Sequence, residues 1–309
     1  MSAERSYVVL HETRYAYDQP VGISRQILHL TPRATPHQIC TRHSVTVQPV
    51  PETRSTGTDA FGNALTTFCI ERDHDALTVL AESEVTVCPR AIPPDDATPP
   101  WEDVRARLAY AAGTPPAPPD LDAARFLFES ARVRSKRELA AWASDCFTER
   151  APLLAGTRAL MHRIHDELTF DPRATTVSTP VMEVFQTRRG VCQDFAHLML
   201  SCLRSLGLAA RYTSGYVLTR PPPGKPRLVG ADASHAWVSV YCPGHGWIDV
   251  DPTNAILVQT EHVTLGWGRD YDDVIPLRGV LLGGGDHDLT IAVTMVPLEE
   301  YDALFPPRP

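Results

Sequence analysis

Residues 188–207 read RRGVCQDFAHLMLSCLRSLG, and the fold follows from how this stretch is parsed. Phe195, Leu198, Met199, Cys202 and Leu206 recur at the spacing of one helix face. Gly207 stands where a helix-ending glycine belongs. The pattern predicts a buried helix with Cys192 in its first turn. A helix N-terminus offers unpaired N–H groups and the positive end of the macrodipole, which stabilise an anion. A thiol there is biased toward thiolate, the form that attacks carbonyl carbon. Taken alone, Cys192 reads equally well as a small buried hydrophobe, so the residues downstream decide.

Downstream the pattern changes to strands. RYTSGYVL at 211–218 reads as one, AWVSVY at 236–241 alternates strictly, and 247–250 follows a Pro-Gly-His-Gly turn, so the last two form a hairpin. His235 precedes the first hairpin strand and Asp251 follows the second. Antiparallel pairing sets those two positions side by side. A nucleophilic cysteine needs a histidine to take its proton and a third group to orient that histidine. Cys192, His235 and Asp251 are therefore the candidate catalytic residues. Asp249 shares the face of Asp251, and periodicity does not choose between them; position at the strand end favours Asp251.

Upstream, residues 1–90 read as short strands separated by turn signals at Thr31-Pro32-Arg33 and at 59–63, an N-terminal antiparallel β-sandwich-like domain. Residues 91–119 form a proline-rich linker with a short helix near Trp101. Residues 120–309 make the catalytic core: a helix capped by Asp120, another over 151–168, the Cys192 helix, the hairpin, and a C-terminal strand at 288–297. The fold class is α+β, with helices packed on an antiparallel sheet.

The chain has 309 residues, 43% hydrophobic and 21% charged, enough for a sizeable core. A net charge of −8 argues against nucleic acid as a partner. No apolar run approaches the roughly 20 residues that span a bilayer, and the first residues lack a signal-peptide core; a cytoplasmic location without membrane association is expected. Seven cysteines include no C-x-x-C pair, and no metal or nucleotide motif is present, so no cofactor or metal is expected. Oligomeric state is not legible.

Three blocks, GVCQDFAHLM, DASHAWVSVY and GWIDVDPTN, together with HETRYAYDQPV, LTPRATP, DAFGN and GRDYDDVIPLRGVLLGGGDHDLTIAV, resemble the bacterial transglutaminase-like proteins of the transglutaminase-like superfamily. The resemblance covers nearly the whole chain. It implies a papain-like core, with the family's cysteine, histidine and aspartate falling on Cys192, His235 and Asp251 rather than Asp249. It also implies cysteine-dependent acyl transfer from an amide of a protein or peptide substrate through a thioester. Water as acceptor makes a peptidase or amidase; a lysine-type amine makes a transglutaminase. A non-catalytic peptide-binding scaffold is the remaining alternative. The Cys192 N–H would serve the oxyanion hole. Gln186, six residues earlier, has the offset of a second donor without its flanking motif. Trp237, Trp247 and Tyr216 are candidates for lining the cleft. Asp194 and His197 read as helix-dipole complementation and packing, and the acidic run at 269–274 as a solvated loop.

Overall fold

The computed structural model describes residues 3–109, 117–220, 230 and 232–305. Five strands come first: β1 (Arg5–Leu28), β2 (Gln38–Gln48), β3 (Thr53–Thr58), β4 (Ala64–Ile70) and β5 (His74–Val87). Then come α1 (Trp101–Leu108), α2 (Pro118–Ala124), α3 (Arg137–Ser144) and α4 (Leu153–Glu167). A short β6 (Thr169–Phe170) precedes α5 (Val181–Thr187), and β7 (Arg189–Gly190) leads into α6 (Cys192–Ser205). Strands β8 (Ala210–Val217), β9 (Ser234–Cys242), β10 (Gly246–Asp251), β11 (Ile256–Leu257), β12 (His262–Gly268), β13 (Leu277–Gly283) and β14 (His287–Pro297) follow, and α7 (Leu298–Leu304) ends the described chain. The α+β class is as expected.

Two antiparallel sheets organise these elements. In the first, β1 runs for 24 residues and serves twice. Its first half pairs with β5 and β14, its second half with β4 and β13, and the register shifts between Ala16 and Val21. Alternation along β5 buries Leu77, Val79, Ala81, Val85 and Val87 in this sheet's core. Strands β13 and β14 belong here as well. The sequence reading placed the C-terminal strand with the catalytic core; it lies instead against the chain's first strand, residue 7 opposite residue 297. Alternation shows that a stretch is a strand but not which strand it joins.

The second sheet has the order β11-β10-β9-β8-β12. Ala236, Val238 and Val240 of β9 enter a core shared with α6, whose Phe195, Leu198, Met199 and Cys202 are fully or nearly fully buried. His235, Trp237 and Ser239 therefore take the opposite face. Tyr216, Val263 and Leu265 from the second sheet sit in the core of the first, so the two sheets share packing rather than standing apart. His11 of β1 and Tyr216 of β8 clasp across this junction, Nδ1 to hydroxyl, at 2.8 Å. The helix expected to be capped by Asp120 is shorter than predicted, and its cap position is Ala117. Asp120 is buried and accepts hydrogen bonds from the Tyr241 hydroxyl and the Arg107 guanidinium. Helix α6 ends as predicted: Gly207 takes φ 78°, and Leu208 N–H reaches the Leu203 carbonyl.

Candidate active site

Cys192 is the first residue of α6 and is half-buried. Its placement is fixed from below. Asp194 Oδ2 accepts from the Val191 N–H at 2.8 Å and from the Thr175 hydroxyl at 2.6 Å, closing the helix's first turn. Burial pushes the Asp194 carboxyl up, and those two donors hold part of it back. The bond requires Gly190, because a Cβ there would lie 2.7 Å from Asp194 Cβ and Oδ2. The glycine of RRGVC is therefore a packing requirement of the aspartate four residues on.

His235 opens β9 and is buried, with Asp251 at the end of β10. His235 Nε2 donates to Asp251 Oδ2 at 2.7 Å. The ring's other nitrogen, Nδ1, is not taken by Asp251, and Cys192 lies close enough to this imidazole to raise its pKa. Burial alone would lower the His235 pKa. The hydrogen bond to Asp251 and the contact with Cys192 outweigh burial and raise it to about 10. Asp251 is fully buried, yet its carboxyl is held well below the usual carboxylate range by hydrogen bonds from His235 and His262. Its Oδ1 accepts from the backbone N–H groups of Thr253 and Asn254, and its Oδ2 also accepts from Asn254 Nδ2 at 2.7 Å. The turn after β10, DPTN, thus wraps the carboxylate in donors. Helix start, strand start and strand end bring the three predicted residues together.

Asp249 is committed elsewhere. It bonds Arg90, just past the end of β5, and Ser239 across the hairpin, and the Arg211 charge adds to Arg90 in holding its carboxyl down against burial. Arg211 is itself buried between the rings of Trp247 and Trp267, 4.2 and 3.6 Å from their centroids. Trp247 therefore belongs to this cluster at the far end of β10, whereas Trp237 is fully buried beside His235. Tyr216 faces His11 rather than a cleft. Tyr212 is the tyrosine whose hydroxyl senses Cys192: burial raises its pKa well above the ordinary value, and the cysteine's charge adds to that. Gln186 is exposed on α5. His197 packs on Tyr212 and accepts the Tyr271 N–H, and burial pushes its pKa down to about 3. The acidic run after Arg269 forms a turn whose carboxylates pair with Arg132 and Arg269. The sequence also reads as a proline-rich loop at 220–227, which past residue 220 lies outside the described residues.

One contributor carried no sequence signal. His262, the first residue of β12, donates from Nε2 to Asp251 Oδ2 at 3.0 Å. His235, Asp251 and His262 offer atoms within 4.8 Å of one another, a spacing compatible with a metal. Here Oδ2 already accepts three donors, so the trio is a saturated hydrogen-bond network.

Two family models match. Residues 7–86 match the bacterial transglutaminase-like N-terminal region, and residues 140–252 match the transglutaminase-like superfamily. The chain belongs to the transglutaminase-like superfamily. An uncharacterized protein of Mycobacterium tuberculosis is 38% identical over 310 residues, covering 97% of this chain and 95% of its own. One from Mycobacterium leprae is 31% identical over 297 residues, covering 94% of this chain and 98% of its own. A Pseudomonas aeruginosa protein-glutamine gamma-glutamyltransferase is 37% identical over 99 residues, 31% of this chain and 15% of that protein. Among solved structures, a Cytophaga hutchinsonii protein provisionally classed as a cysteine protease superposes with a TM-score of 0.74 at 20% identity, covering 96% of this chain and 92% of that one, which shows the shared fold. This transglutaminase-like chain has no helix long and apolar enough to cross a membrane among its described residues.

Proposed function

We propose that the protein is a cysteine-dependent acyl-transfer enzyme acting on an amide of a protein or peptide, with Cys192 as nucleophile, His235 as acid and base, and Asp251 as the group that orients His235. The observation that carries this reading is the His235 ring, held at Nε2 by a buried carboxylate and acted on by a half-buried cysteine at a helix N-terminus. A strand-end aspartate with imidazole, amide and backbone partners is an orienting group; a packing aspartate needs none of these.

The proposed steps follow from those positions. The Cys192 proton resides on His235, and Asp251 stabilises the resulting imidazolium. Sulfur attacks the carbonyl carbon, forming a C–S bond while the oxygen takes up negative charge. The Cys192 N–H, one of the orphan donors of the helix, faces that charge. As the C–N bond breaks, His235 gives its proton to the departing nitrogen. Water then attacks the thioester carbon while His235 takes its proton, the C–S bond breaks, the carboxylic acid leaves, and the thiolate–imidazolium pair is restored. Hydrolysis needs only the ever-present acceptor and is the preferred outcome. The match to a gamma-glutamyltransferase supports the second reading, in which a primary amine replaces water. All seven cysteines are unpaired, which supports a reducing compartment and the cytoplasm.

The test is to incubate the protein with a glutamine-rich protein and a primary amine probe and to follow the mass. Backbone cleavage or deamidation identifies the hydrolase, and amine incorporation the transglutaminase; both vanish in Cys192→Ala. Iodoacetamide labelling of Cys192 that is already fast at pH 6, and slow in His235→Ala, is expected of the pair. Labelling indifferent to His235 and to pH, with no product in either assay, leaves a scaffold.

A further inference from the structure

One buried polar group that this mechanism does not use, His262, reaches the site itself. Strand β12 lies three positions from β10 in the sheet, so strand pairing does not place His262 beside Asp251. Residues 252–261 carry the chain around the end of the sheet and deliver the ring there. The route is kept open by Gly215 of β8, which lies opposite His235. A Cβ at Gly215 would lie 2.0 Å from the Val263 carbonyl oxygen and 2.6 Å from the Trp237 ring. Trp237 packs against both imidazoles, 6.1 Å from His235 and edge-on to His262 at 5.2 Å, while the two imidazole centroids lie 5.9 Å apart.

The chemistry of the ring is constrained. Asp251 Oδ2 is an acceptor only, so each imidazole that touches it presents an N–H. His262 is 1% exposed, and its Nδ1 is buried without a hydrogen-bond partner. Packing alone would be served by an aromatic hydrocarbon with no orphaned nitrogen. The orphan is tolerated because the opposite nitrogen has work to do. Asp251, His235 and Arg90 are the charged or titratable groups acting on His262; burial lowers its pKa, and Asp251 offsets part of that.

We propose that His262 is a positioning residue for the reaction assigned to Cys192: its Nε2–H pins Asp251 Oδ2 at the one orientation that aims His235 Nδ1 at the thiol. This rests on the reading of Cys192 as the nucleophile. A carboxylate with two imidazole donors on one oxygen cannot rotate without breaking both bonds. Without His262 the carboxylate keeps His235 and donors from its own turn, Asn254 Nδ2 and the Thr253 and Asn254 N–H groups, and loses the donor from β12 that holds Oδ2 against being drawn toward that turn.

The test uses His262→Phe, which keeps the ring and removes the donor, and His262→Gln, whose amide nitrogen falls near the lost Nε2. Cys192 alkylation by iodoacetamide is measured from pH 5 to 9, with thermal unfolding alongside. His262→Phe is expected to slow labelling at pH 6 at least tenfold and to move its pH profile toward that of a free thiol. His262→Gln should stay within about threefold of the parent. The parent's own profile tests the nucleophile; the variants test only His262. Equal labelling in folded His262→Phe and parent overturns the proposal. Should His262→Phe fail to fold, histidine nitrogen NMR of the intact protein decides. The Nε2–H tautomer of His262, persisting from pH 5 to 9, is expected, and the Nδ1–H tautomer overturns it.

Discussion

Asp249 and Asp251 stand two residues apart on one strand, both buried, and their surroundings divide the molecule's chemistry. Around Asp249 the partners are the guanidinium groups of Arg90 and Arg211; burial lowers the Arg211 pKa to about 9, still above neutral. Around Asp251 they are the imidazoles of His235 and His262 and the amide of Asn254. The first cluster is locked; the second can pass a proton. The same carboxylate becomes a brace in one place and part of a reaction centre in the other, according to whether its neighbours titrate.

Breaking each cluster should give opposite phenotypes. Asp251→Asn should cut turnover about 10³- to 10⁴-fold, as expected when the group orienting a catalytic histidine is lost, while circular dichroism reports an intact fold. Asp249→Asn should instead cost about 3–5 kcal/mol in urea unfolding, because the buried Arg211 and the partly buried Arg90 lose their counter-charge, and the folded fraction should keep its activity per molecule. If Asp249→Asn abolished turnover without loss of stability, the division would be wrong.

A third histidine sharpens the contrast. His11 has a tyrosine hydroxyl and no carboxylate, and burial pushes its pKa down to about 4. Its folded value lies below the unfolded value of about 6.5, so the unfolded chain binds the extra proton. Stability should fall as pH drops from about 6.5 toward 4, by about 2 kcal/mol at pH 5 from this group. Urea midpoints for the parent and His11→Phe at pH 7 and pH 5 would measure it; the variant should lose less on acidification. His235, raised to about 10, runs the other way: its contribution is full below about pH 6.5 and is lost as pH rises through about 10.

Much of this was legible before any coordinates. Cys192 announced itself because helical spacing began immediately after it, and His235 and Asp251 because they bracket a hairpin. What failed to show was non-local. His262 stands in an ordinary TEHVTL strand and acquires meaning only when the chain rounds the sheet end. Arg90 sits just past the end of β5, at the edge of the proline-rich linker, where nothing local marks it. Tyr216 and Tyr212 were indistinguishable by pattern, yet one clasps the first sheet and the other lies near the thiol. The expectation for residues 1–90 was short strands, whereas β1 runs 24 residues through Asp18-Gln19-Pro20 with a change of register.

The return of β13 and β14 to β1 has a bearing on how the protein is made. On the ribosome, the first eighty-odd residues emerge with one flank of their longest strand bare, and its partners are synthesised some two hundred residues later. Until then that flank is a sticky template of unpaired amides, and closing it joins the two ends of the chain in one ladder. Removing residues 277–297 should therefore do more than trim a tail: it should expose the opening segment to proteolysis and self-association, though every group of the proposed reaction centre would still be encoded.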